Sequence, residues 1–413
     1  MESKRFDMTR RNFVKLSGAA SILSATALAG CGNSGSSAST ASGSDSANAF
    51  KIGNIGPLTG GAAIYGNATK NGAQLAVDEI NAAGGSIQFV HNCQDDEHDP
   101  EKSVNAYNNL KDWGLQVLVG TTTTAPCVAV SAETNADNVF ELTPSASSND
   151  VIGGQADADG NVTTPRKDNV FQMCFTDPNQ GTASAQYLAQ KQLGTKIAVI
   201  YDNSDAYSTG VFKKFEAEAA EQNLTIVSTT TFTADNATDF SVQLNDAKNA
   251  GADLVFLPIY YTPAALILTQ AANMGYDTKF FGCDGMDGIL TVEGFDTSLA
   301  EGLMLLTPFV ATATDEKTSA FTRAYKDAYG DEPIQFAADA YDCVYVIKDL
   351  LEKTECTPDM SASDICDKLK AAIVDGYTYS GLTGENMTWK ETGEVSKEPK
   401  GMVIKDGVYQ PLD

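Results

Sequence analysis

The chain has 413 residues, of which 42% are hydrophobic, and its formal net charge is −26. At about 150 residues per domain, this length predicts two or three domains, and the hydrophobic content suffices for ordinary globular cores. The strongly acidic balance argues against nucleic acid and against anionic membrane surfaces as partners. Many secreted proteins are acidic, so the charge alone does not define a function.

The N-terminus has the pattern of an export signal. Residues 9–15 contain paired arginines followed by Phe and Lys, which is typical of twin-arginine export, and residues 16–29 form an apolar run too short to span a membrane stably. Residues 28–31, Leu-Ala-Gly-Cys, resemble a bacterial lipobox, in which a small residue precedes the cleavage site and a thiol follows it to carry lipid. We therefore predict a signal peptide over 1–30 and lipid attachment at Cys31. The alternative is an ordinary signal peptide followed by a chance cysteine.

The segment after Cys31 is rich in Ser, Gly, Ala and Thr, which predicts a flexible, lipid-anchored linker over 31–49. No later stretch is long and apolar enough to cross a membrane. We therefore expect the body of the protein to lie outside the bacterial cell membrane and to contact it through the lipid only.

From residue 50 the sequence alternates between short apolar runs and amphipathic segments. The apolar runs predict strands at 51–55, 87–90, 115–119 and 139–142. Asp99-Pro100 is typical of a helix start, with an acid at the N-cap and proline at the first helical position. Short strands separated by helices indicate βαβ units and a parallel sheet covered on both faces.

The polar, glycine-rich residues 147–168 interrupt this rhythm and predict an exposed insertion. Apolar runs then resume, with helices between them, and a further run at 303–306 precedes a helical segment. The second series predicts strands at 170–173, 197–201, 225–227, 254–257 and 279–281. From residue 387 onward, turn residues at 391–393 and 405–407 predict short strands.

This organisation predicts an α/β fold of two doubly wound parallel-sheet lobes joined by a hinge. We assign residues 50–174 and 308–390 to the first lobe and residues 175–307 and 391–413 to the second. Ligands of open α/β sheets bind outside the carboxyl ends of the strands. Two such lobes would therefore enclose a ligand in the cleft between them.

A series of short motifs occurs in order between about residues 50 and 411, and each motif alone is weak. They are IGPLTG at 55–60, YG at 65–66, NG at 71–72, DEINAAGG at 78–85, QDD at 94–96, VG at 119–120, TPSAS at 143–147, YSTG at 207–210 and DF at 239–240. Their order and spacing together resemble the type I periplasmic binding proteins, in particular the leucine/isoleucine/valine-binding branch. The resemblance implies a solute-binding protein that captures an amino acid between its lobes and delivers it to an ABC permease.

The resemblance also implies which residues bind the backbone groups of the ligand. Thr124 and Ser147 match hydroxyls that bind the α-carboxylate, and Ser145 and Ala146 match backbone groups beside them. Asp284 stands where the family has a glutamate facing the α-ammonium. The residues themselves support the carboxylate site, because a threonine before Ala-Pro is a plausible N-cap beside free N–H groups at a helix start.

Aromatic and side-chain positions match as well. Tyr65 matches one wall of the pocket, Tyr207 and Tyr260 match aromatic residues of the second lobe, and Phe336 matches an aromatic residue of the side-chain pocket. The chain departs from branched-chain binders near its Thr run, where threonines at 122 and 123 replace apolar residues. This departure admits a smaller or more polar ligand side chain.

Other interpretations of these residues stay open at this point. Without the resemblance, Asp284 is a solvated turn residue, and each of Tyr65, Tyr207 and Tyr260 is a packing residue. A sensor ectodomain that presents its ligand to a receptor fits the same sequence. So does a binder of an amide, a urea-like compound or another small carboxylate.

An enzyme is the main rival class of protein. The chain has two histidines, His91 and His98, and lacks the Gly-x-Ser-x-Gly, His-Glu-x-x-His, P-loop and dinucleotide patterns. We therefore predict that the chain is not an enzyme and uses no cofactor. His91, Cys93 and Asp95 would share one face of a strand, and with Asp96 and His98 they leave a metal cluster as an alternative.

Seven cysteines follow Cys31, and an odd number leaves at least one free thiol. Cys356 with Cys366, or Cys93 with Cys127, could form a disulfide, and the sequence does not decide between these pairings and none.

Overall fold

The computed structural model describes residues 48–156 and 162–412. The predicted signal peptide, the predicted lipid attachment at Cys31 and the linker up to residue 47 lie outside the described residues. In the part that is described, no helix is both long and apolar enough to cross a membrane.

Strands and helices alternate along most of the described chain. The strands are β1 (Phe50–Gly56), β2 (Phe89–Asp95), β3 (Val117–Val119), β4 (Phe140–Thr143), β5 (Gln155–Ala156), β6 (Val162–Thr164), β7 (Val170–Gln172), β8 (Lys196–Asp202), β9 (Thr225–Phe232), β10 (Leu254–Leu257), β11 (Lys279–Gly282), β12 (Met304–Thr307), β13 (Lys400–Lys405) and β14 (Val408–Pro411). The helices are α1 (Ala63–Ala83), α2 (Pro100–Trp113), α3 (Thr124–Asp137), α4 (Asn149–Ile152), α5 (Asp177–Gln190), α6 (Ala206–Glu221), α7 (Ser241–Asn249), α8 (Tyr261–Asn273), α9 (Glu316–Tyr329), α10 (Gln335–Lys353) and α11 (Ala362–Val374). Short 3-10 helices lie at Ala234–Asn236, Asp284–Met286, Ile289–Thr291 and Thr297–Ala300.

The described strands form two main sheets that share one topology. The order in the first sheet is β2-β1-β3-β4-β7, with every neighbouring pair parallel. The second sheet has the order β14-β13-β12-β11-β10-β8-β9, parallel from β9 to β12 and extended at one edge by the antiparallel hairpin β13–β14. In each sheet the strand order reverses beside the first strand, which opens a crevice at the carboxyl ends of the strands. The predicted fold class is confirmed.

Each sheet has its own hydrophobic core. In the first, Ile52 and Phe140 pack in one cluster with Val344 of α10 and Leu369 of α11. The second sheet is covered on one face by α5 and α6, where Phe215 stacks on Phe256 with ring centroids 4.0 Å apart. Because α10 and α11 pack on the first sheet, the helical segment after β12 returns to the first lobe.

The contacts of residues 389–395 bear on the predicted boundary between the lobes at 390/391. The Gln172 N–H donates to the Gly393 carbonyl at 3.0 Å, and the Trp389 indole N–H donates to the Gln172 carbonyl at 2.9 Å. These bonds hold residues 389–395 against the edge strand of the first sheet. We therefore propose that the second lobe resumes between residue 395 and the start of β13.

The predicted helix start at Asp99 is confirmed, because its carboxylate accepts from the Glu101 and Lys102 N–H groups at 2.9 Å. The prediction that residues 147–168 are an exposed insertion is wrong for both ends of this segment. Ser147 and the α4 residues Val151 and Ile152 are buried, and Lys167 is only 9% exposed. Its ammonium group donates to the Ser131 hydroxyl at 2.8 Å and to two carbonyls of α4, so these polar groups are satisfied internally.

The described cysteines are free thiols, and neither candidate disulfide is present. The Cys93 thiol donates to the Asn54 side-chain oxygen at 3.1 Å, and the Cys127 thiol donates to the Glu141 carboxylate at 3.3 Å. These buried thiols act as small packing groups with weak polar partners.

A candidate ligand-binding cleft

A small cavity, with about 10 Å³ of room for a water-sized molecule, lies where the carboxyl ends of the two sheets face each other. The first lobe lines it with Tyr65, Thr122, Thr123, Thr124, Ser145, Ser147 and Phe336, and the second lobe lines it with Tyr207, Tyr260, Asp284 and Gly285. Every predicted site residue except Ala146 is therefore on one cavity. A larger groove is lined by residues of 308–318 and 381–402 and by Pro411, and it contains none of the predicted site residues.

The start of helix α3 forms the first polar wall of the cavity. The structure corrects the prediction that Thr124 is the N-cap: Thr123 occupies that position, and Thr124 is the first helical residue. The Thr123 side chain makes no capping hydrogen bond, because its hydroxyl pairs with His98 Nδ1 at 2.9 Å. N–H groups of the first turn are therefore left for another acceptor, and a carboxylate suits them by charge and geometry.

The loop after β4 forms the second polar wall. The Ser145 hydroxyl donates to the Thr122 carbonyl at 2.6 Å, which fixes the two loops against each other. Ala146 does not reach the cavity. Its N–H donates to the Thr143 hydroxyl and its carbonyl accepts from Gln172, so both backbone groups are engaged inside the first lobe.

Four aromatic rings fill the space between the lobes. Phe336 stacks on Tyr65 with centroids 4.3 Å apart, and Tyr260 stacks on Tyr207 with centroids 5.1 Å apart. The Tyr65 ring meets the edge of Tyr260 at 5.5 Å, so the two stacked pairs join across the cleft. The Tyr65 hydroxyl also donates to the Gly285 carbonyl of the second lobe. The lobes are thus in direct contact, as in a closed binding protein.

Asp284 follows β11 and is the only charged residue in the lining of this cavity. Its backbone is held on both sides: its N–H donates to Gln180 at 3.3 Å and its carbonyl accepts from Gln335 at 3.0 Å. Burial raises the pKa of the Asp284 carboxyl to about 7, against the lowering effect of the neighbouring Tyr207 hydroxyl. A buried carboxylate facing a cavity without Lys or Arg gains most from a cationic partner.

Sequence reasoning missed two polar residues behind this wall. Asp177 is 1% exposed and neither of its carboxylate oxygens has a hydrogen-bond partner in the described structure. Burial raises the pKa of Asp177 well above its ordinary value, and the nearby Asp284 adds to the effect. Gln180, one turn later in α5, accepts from both Asp284 and Tyr207. Their only sequence signal is their position at a helix start that follows a strand.

The metal alternative has no support in the described part of the chain, where no group of three or more His, Cys, Asp or Glu residues could hold an ion. The two histidines instead pair separately, His91 with Gln74 and His98 with Thr123, each at 2.9 Å.

Two parallel-sheet lobes that close on a small polar cavity define a bilobed binding protein. The chain belongs to the periplasmic binding protein family, whose model matches residues 49–407. It is 30% identical over 353 residues to Leu/Ile/Val-binding protein homolog 3 of Brucella melitensis biotype 1, covering 84% of this chain and 88% of that protein. It is 27% identical over 363 residues to the leucine-, isoleucine-, valine-, threonine- and alanine-binding protein of Pseudomonas aeruginosa, covering 86% and 89%.

Solved structures of periplasmic binding proteins have the same fold as this chain. The branched-chain amino acid transporter substrate-binding protein LivJ of Streptococcus pneumoniae, in complex with isoleucine, superposes with a TM-score of 0.75 at 28% identity, over 88% of this chain and 98% of that one. The leucine-binding protein LivK of Thermotoga maritima superposes with a TM-score of 0.76 at 24% identity and supports the fold. The chain is thus an extracytoplasmic solute-binding protein of an ABC transporter and not an enzyme, as predicted.

Proposed function

We propose that this protein captures a free α-amino acid, branched-chain or small and polar, in the interlobe cleft and delivers it to the permease of an ABC importer. One observation carries the proposal. The cavity is lined on one lobe by hydroxyl groups and a helix start without a side-chain cap, and on the other lobe by a single buried carboxylate. Its lining contains no Lys or Arg. This arrangement is complementary to a zwitterion.

The α-carboxylate is assigned to the first lobe. Thr124, Ser147 and the first-turn N–H groups of α3 supply donors without a formal positive charge. The N-terminal end of the helix dipole favours an anion at this position. Neutral donors at a helix end also avoid the desolvation penalty of burying a lysine or arginine beside the ligand.

The α-ammonium is assigned to Asp284 of the second lobe, with Tyr207 and Tyr260 beside it. A ligand ammonium would offset the burial that raises the pKa of this carboxyl, and the pair would then bind with both groups ionised. Cation–π attraction from the two tyrosine faces supports the same position.

The ligand side chain is assigned to the space beside Thr122, Thr123 and Phe336. The names of the relatives include leucine, isoleucine and valine, and the Pseudomonas aeruginosa protein adds threonine and alanine. The two threonines make this part of the lining more polar, which favours the smaller and more polar of these amino acids as ligands. Binding then works by population shift, because contacts to both lobes stabilise the closed form.

We also propose that the mature protein is anchored through a lipid on Cys31, on the outer face of the cell membrane. The lipobox-like residues 28–31 support this. Mass spectrometry of the protein extracted from membranes would detect the acylated N-terminus, and Cys31→Ser should release the protein from the membrane fraction. A soluble, unmodified wild-type protein would contradict the anchor.

The ligand proposal is tested by calorimetry of the purified protein with each of the twenty amino acids, together with small amides and urea. We expect saturable binding of one or a few L-amino acids and none of their amides, since an amide lacks the carboxylate. Binding of amides or urea in preference to every amino acid would overturn the proposal.

A further inference from the structure

His98 joins the two lobes at the rim of the ligand cavity. It lies in the turn between β2 and α2, is partly buried, and adopts a left-handed conformation with φ 61°. Its Nδ1 pairs with the Thr123 hydroxyl at 2.9 Å. Its ring meets the Tyr260 ring edge-on, with centroids 5.7 Å apart and planes at 87°. Thr123 and Tyr260 line the cavity from opposite lobes.

Both contacts bear on the ligand site. The bond to His98 keeps the Thr123 hydroxyl away from the first turn of α3, and this leaves the N–H groups of that turn open to the ligand carboxylate. The contact with Tyr260 reaches the ring that stacks on Tyr207 and meets the edge of Tyr65. Because Tyr260 belongs to the second lobe, this contact requires the lobes to be closed.

We propose that His98 is a positioning residue that makes closure of the cleft on its amino acid depend on pH. The inference rests on the proposed function and adds to it a response to acidity. His98 would assemble the carboxylate site and the cross-lobe contact when its ring is neutral, and would oppose closure when its ring is protonated.

The charges around the ring give the direction of the effect. Asp202, at the end of β8, and Asp99, at the N-cap of α2, face the ring and favour its cation, while Asp96 accepts from the His98 N–H at 2.8 Å. Burial outweighs these carboxylates and lowers the pKa of His98 below its ordinary value of 6.5. Tyr260 stays neutral, because burial raises its pKa well above the usual range.

The sign of the pH dependence follows by linkage. Opening of the cleft removes the Tyr260 contact, and we expect the ring then to be more exposed to water and to titrate nearer its ordinary pKa. Closure at mildly acidic pH would therefore release a proton. The contribution of His98 to affinity is therefore fully present above about pH 6.5, and is lost as pH falls toward the lowered pKa of the closed form. Asp284 also loses its charge at acidic pH, so the share due to His98 has to be isolated by substitution.

The two histidines of the chain make a direct test feasible. The imidazole C2–H signals of the full protein would be followed by NMR between pH 5 and 8, without ligand and with the tightest-binding L-amino acid of the calorimetric screen at saturation. His98→Gln assigns the signals. We expect the pKa of His98 to fall by at least half a unit on saturation, and an unchanged or raised pKa would overturn the proposal.

Binding of the same amino acid at pH 7.5 and 5.5 gives a second, independent readout. Glutamine can bond to Thr123 and cannot titrate. We therefore expect His98→Gln to bind the amino acid within about threefold of wild type at pH 7.5. Between pH 7.5 and 5.5, the fold-loss of affinity in His98→Gln should be at least threefold smaller than in wild type. His91→Gln is the matched control, because burial lowers the pKa of His91 to about 4 and its neutral ring pairs with Gln74 away from the cavity. It should keep the wild-type pH profile.

The outcomes separate the two proposals. Strong binding at pH 7.5 with the same pH profile in wild type and His98→Gln would overturn the role of His98 and leave the proposed function intact. Absence of amino acid binding by the wild-type protein at pH 7.5 would overturn the proposed function, and the role of His98 with it.

Discussion

At the scale of single residues, the polarity of the ligand is set by Asp284 and by what faces it. A carboxylate that is 5% exposed in a cavity without basic lining residues is unfavourable unless a cation joins it. Across the cleft, Thr124 and Ser147 present neutral donors. The cavity suits a zwitterion better than a simple anion, because its charged group is on one lobe and its neutral donors are on the other.

We expect Asp284→Ala to weaken binding of the amino acid about 10- to 150-fold, since a charge-assisted hydrogen bond contributes about 1.5–3 kcal/mol. Calorimetry at pH 7.5 measures the change, and thermal unfolding without ligand checks that the fold is intact. Asp277→Ala, at an exposed carboxylate on the same lobe, is the control and should bind like wild type. Wild-type affinity in Asp284→Ala would remove this residue from the site.

The sequence predicted the position of some site residues and missed others. The family resemblance implied that Thr124, Tyr260 and Asp284 lie at the cleft. For Thr124 and Asp284 it agrees with their place after apolar strands, since the carboxyl ends of parallel strands meet at one edge. The burial of Asp177 could not be predicted, because it depends on close packing of α5 on α6, where Gly210 leaves room for its carboxylate. The absence of a side-chain cap on α3 could not be predicted either, because the Thr123 hydroxyl pairs with His98, 25 positions earlier.

At the scale of elements, close packing of helices explains two of the short sequence motifs. A Cβ atom at Gly66 would lie 2.0 Å from the Pro57 carbonyl oxygen, and one at Gly72 would lie 2.0 Å from the Ala337 carbonyl oxygen. Both glycines are in α1, which carries Tyr65 and packs along α10, which carries Phe336. The absence of a side chain at these positions therefore sets the spacing that lets the two rings stack.

We expect Gly72→Ala to lower the free energy of unfolding by about 1–2 kcal/mol, because a Cβ atom 2.0 Å from a backbone oxygen puts the overpacking cost in the upper part of its range. Overpacking of a well-packed core costs about 1–3 kcal/mol, and the backbone carbonyl of α10 cannot move without shifting the helix, whereas the gain in helix propensity is at most about 1 kcal/mol. Denaturant titration measures the change. Gly85→Ala, where a Cβ atom meets nothing within 4 Å, is the matched control and should be neutral. Equal stability of the two variants would contradict the packing argument.

Strand positions were predictable where they are apolar runs. The prediction of 254–257 coincides with β10, and that of 197–201 falls within β8. The second strand was predicted at 87–90 but spans Phe89–Asp95, because its later residues are polar and partly exposed at the edge of the sheet. The burial of Lys167, near the end of the 147–168 segment, was missed because its ammonium group is satisfied by partners distant in sequence, such as Ser131.

At the scale of the whole molecule, the crossing segment before β13 is fixed by a buried ion pair. Lys397 is 3% exposed, and its ammonium donates to the Asp339 carboxylate at 2.7 Å and to the Thr383 hydroxyl at 2.6 Å. Asp339 belongs to α10 of the first lobe, three residues from Phe336. This pair ties the segment before β13 to the helix that carries part of the ligand site.

We expect Lys397→Met to lower the free energy of unfolding by about 3–5 kcal/mol, because removal of one partner leaves Asp339 buried without its cation. Part of this loss, relative to wild type, should return as the pH falls from 7.5 toward about 6, since burial raises the pKa of the Asp339 carboxyl to about 6 even with Lys397 present. Without the lysine, the pKa of Asp339 rises further. As the pH falls, the unpaired carboxylate of the variant is therefore protonated at a higher pH than the paired carboxylate of wild type. Denaturant titrations at pH 7.5 and 5.5 measure both effects. Lys405→Met, at an exposed position in β13, is the control, and a Lys397→Met variant as stable as this control at pH 7.5 would show that this segment is held by other contacts.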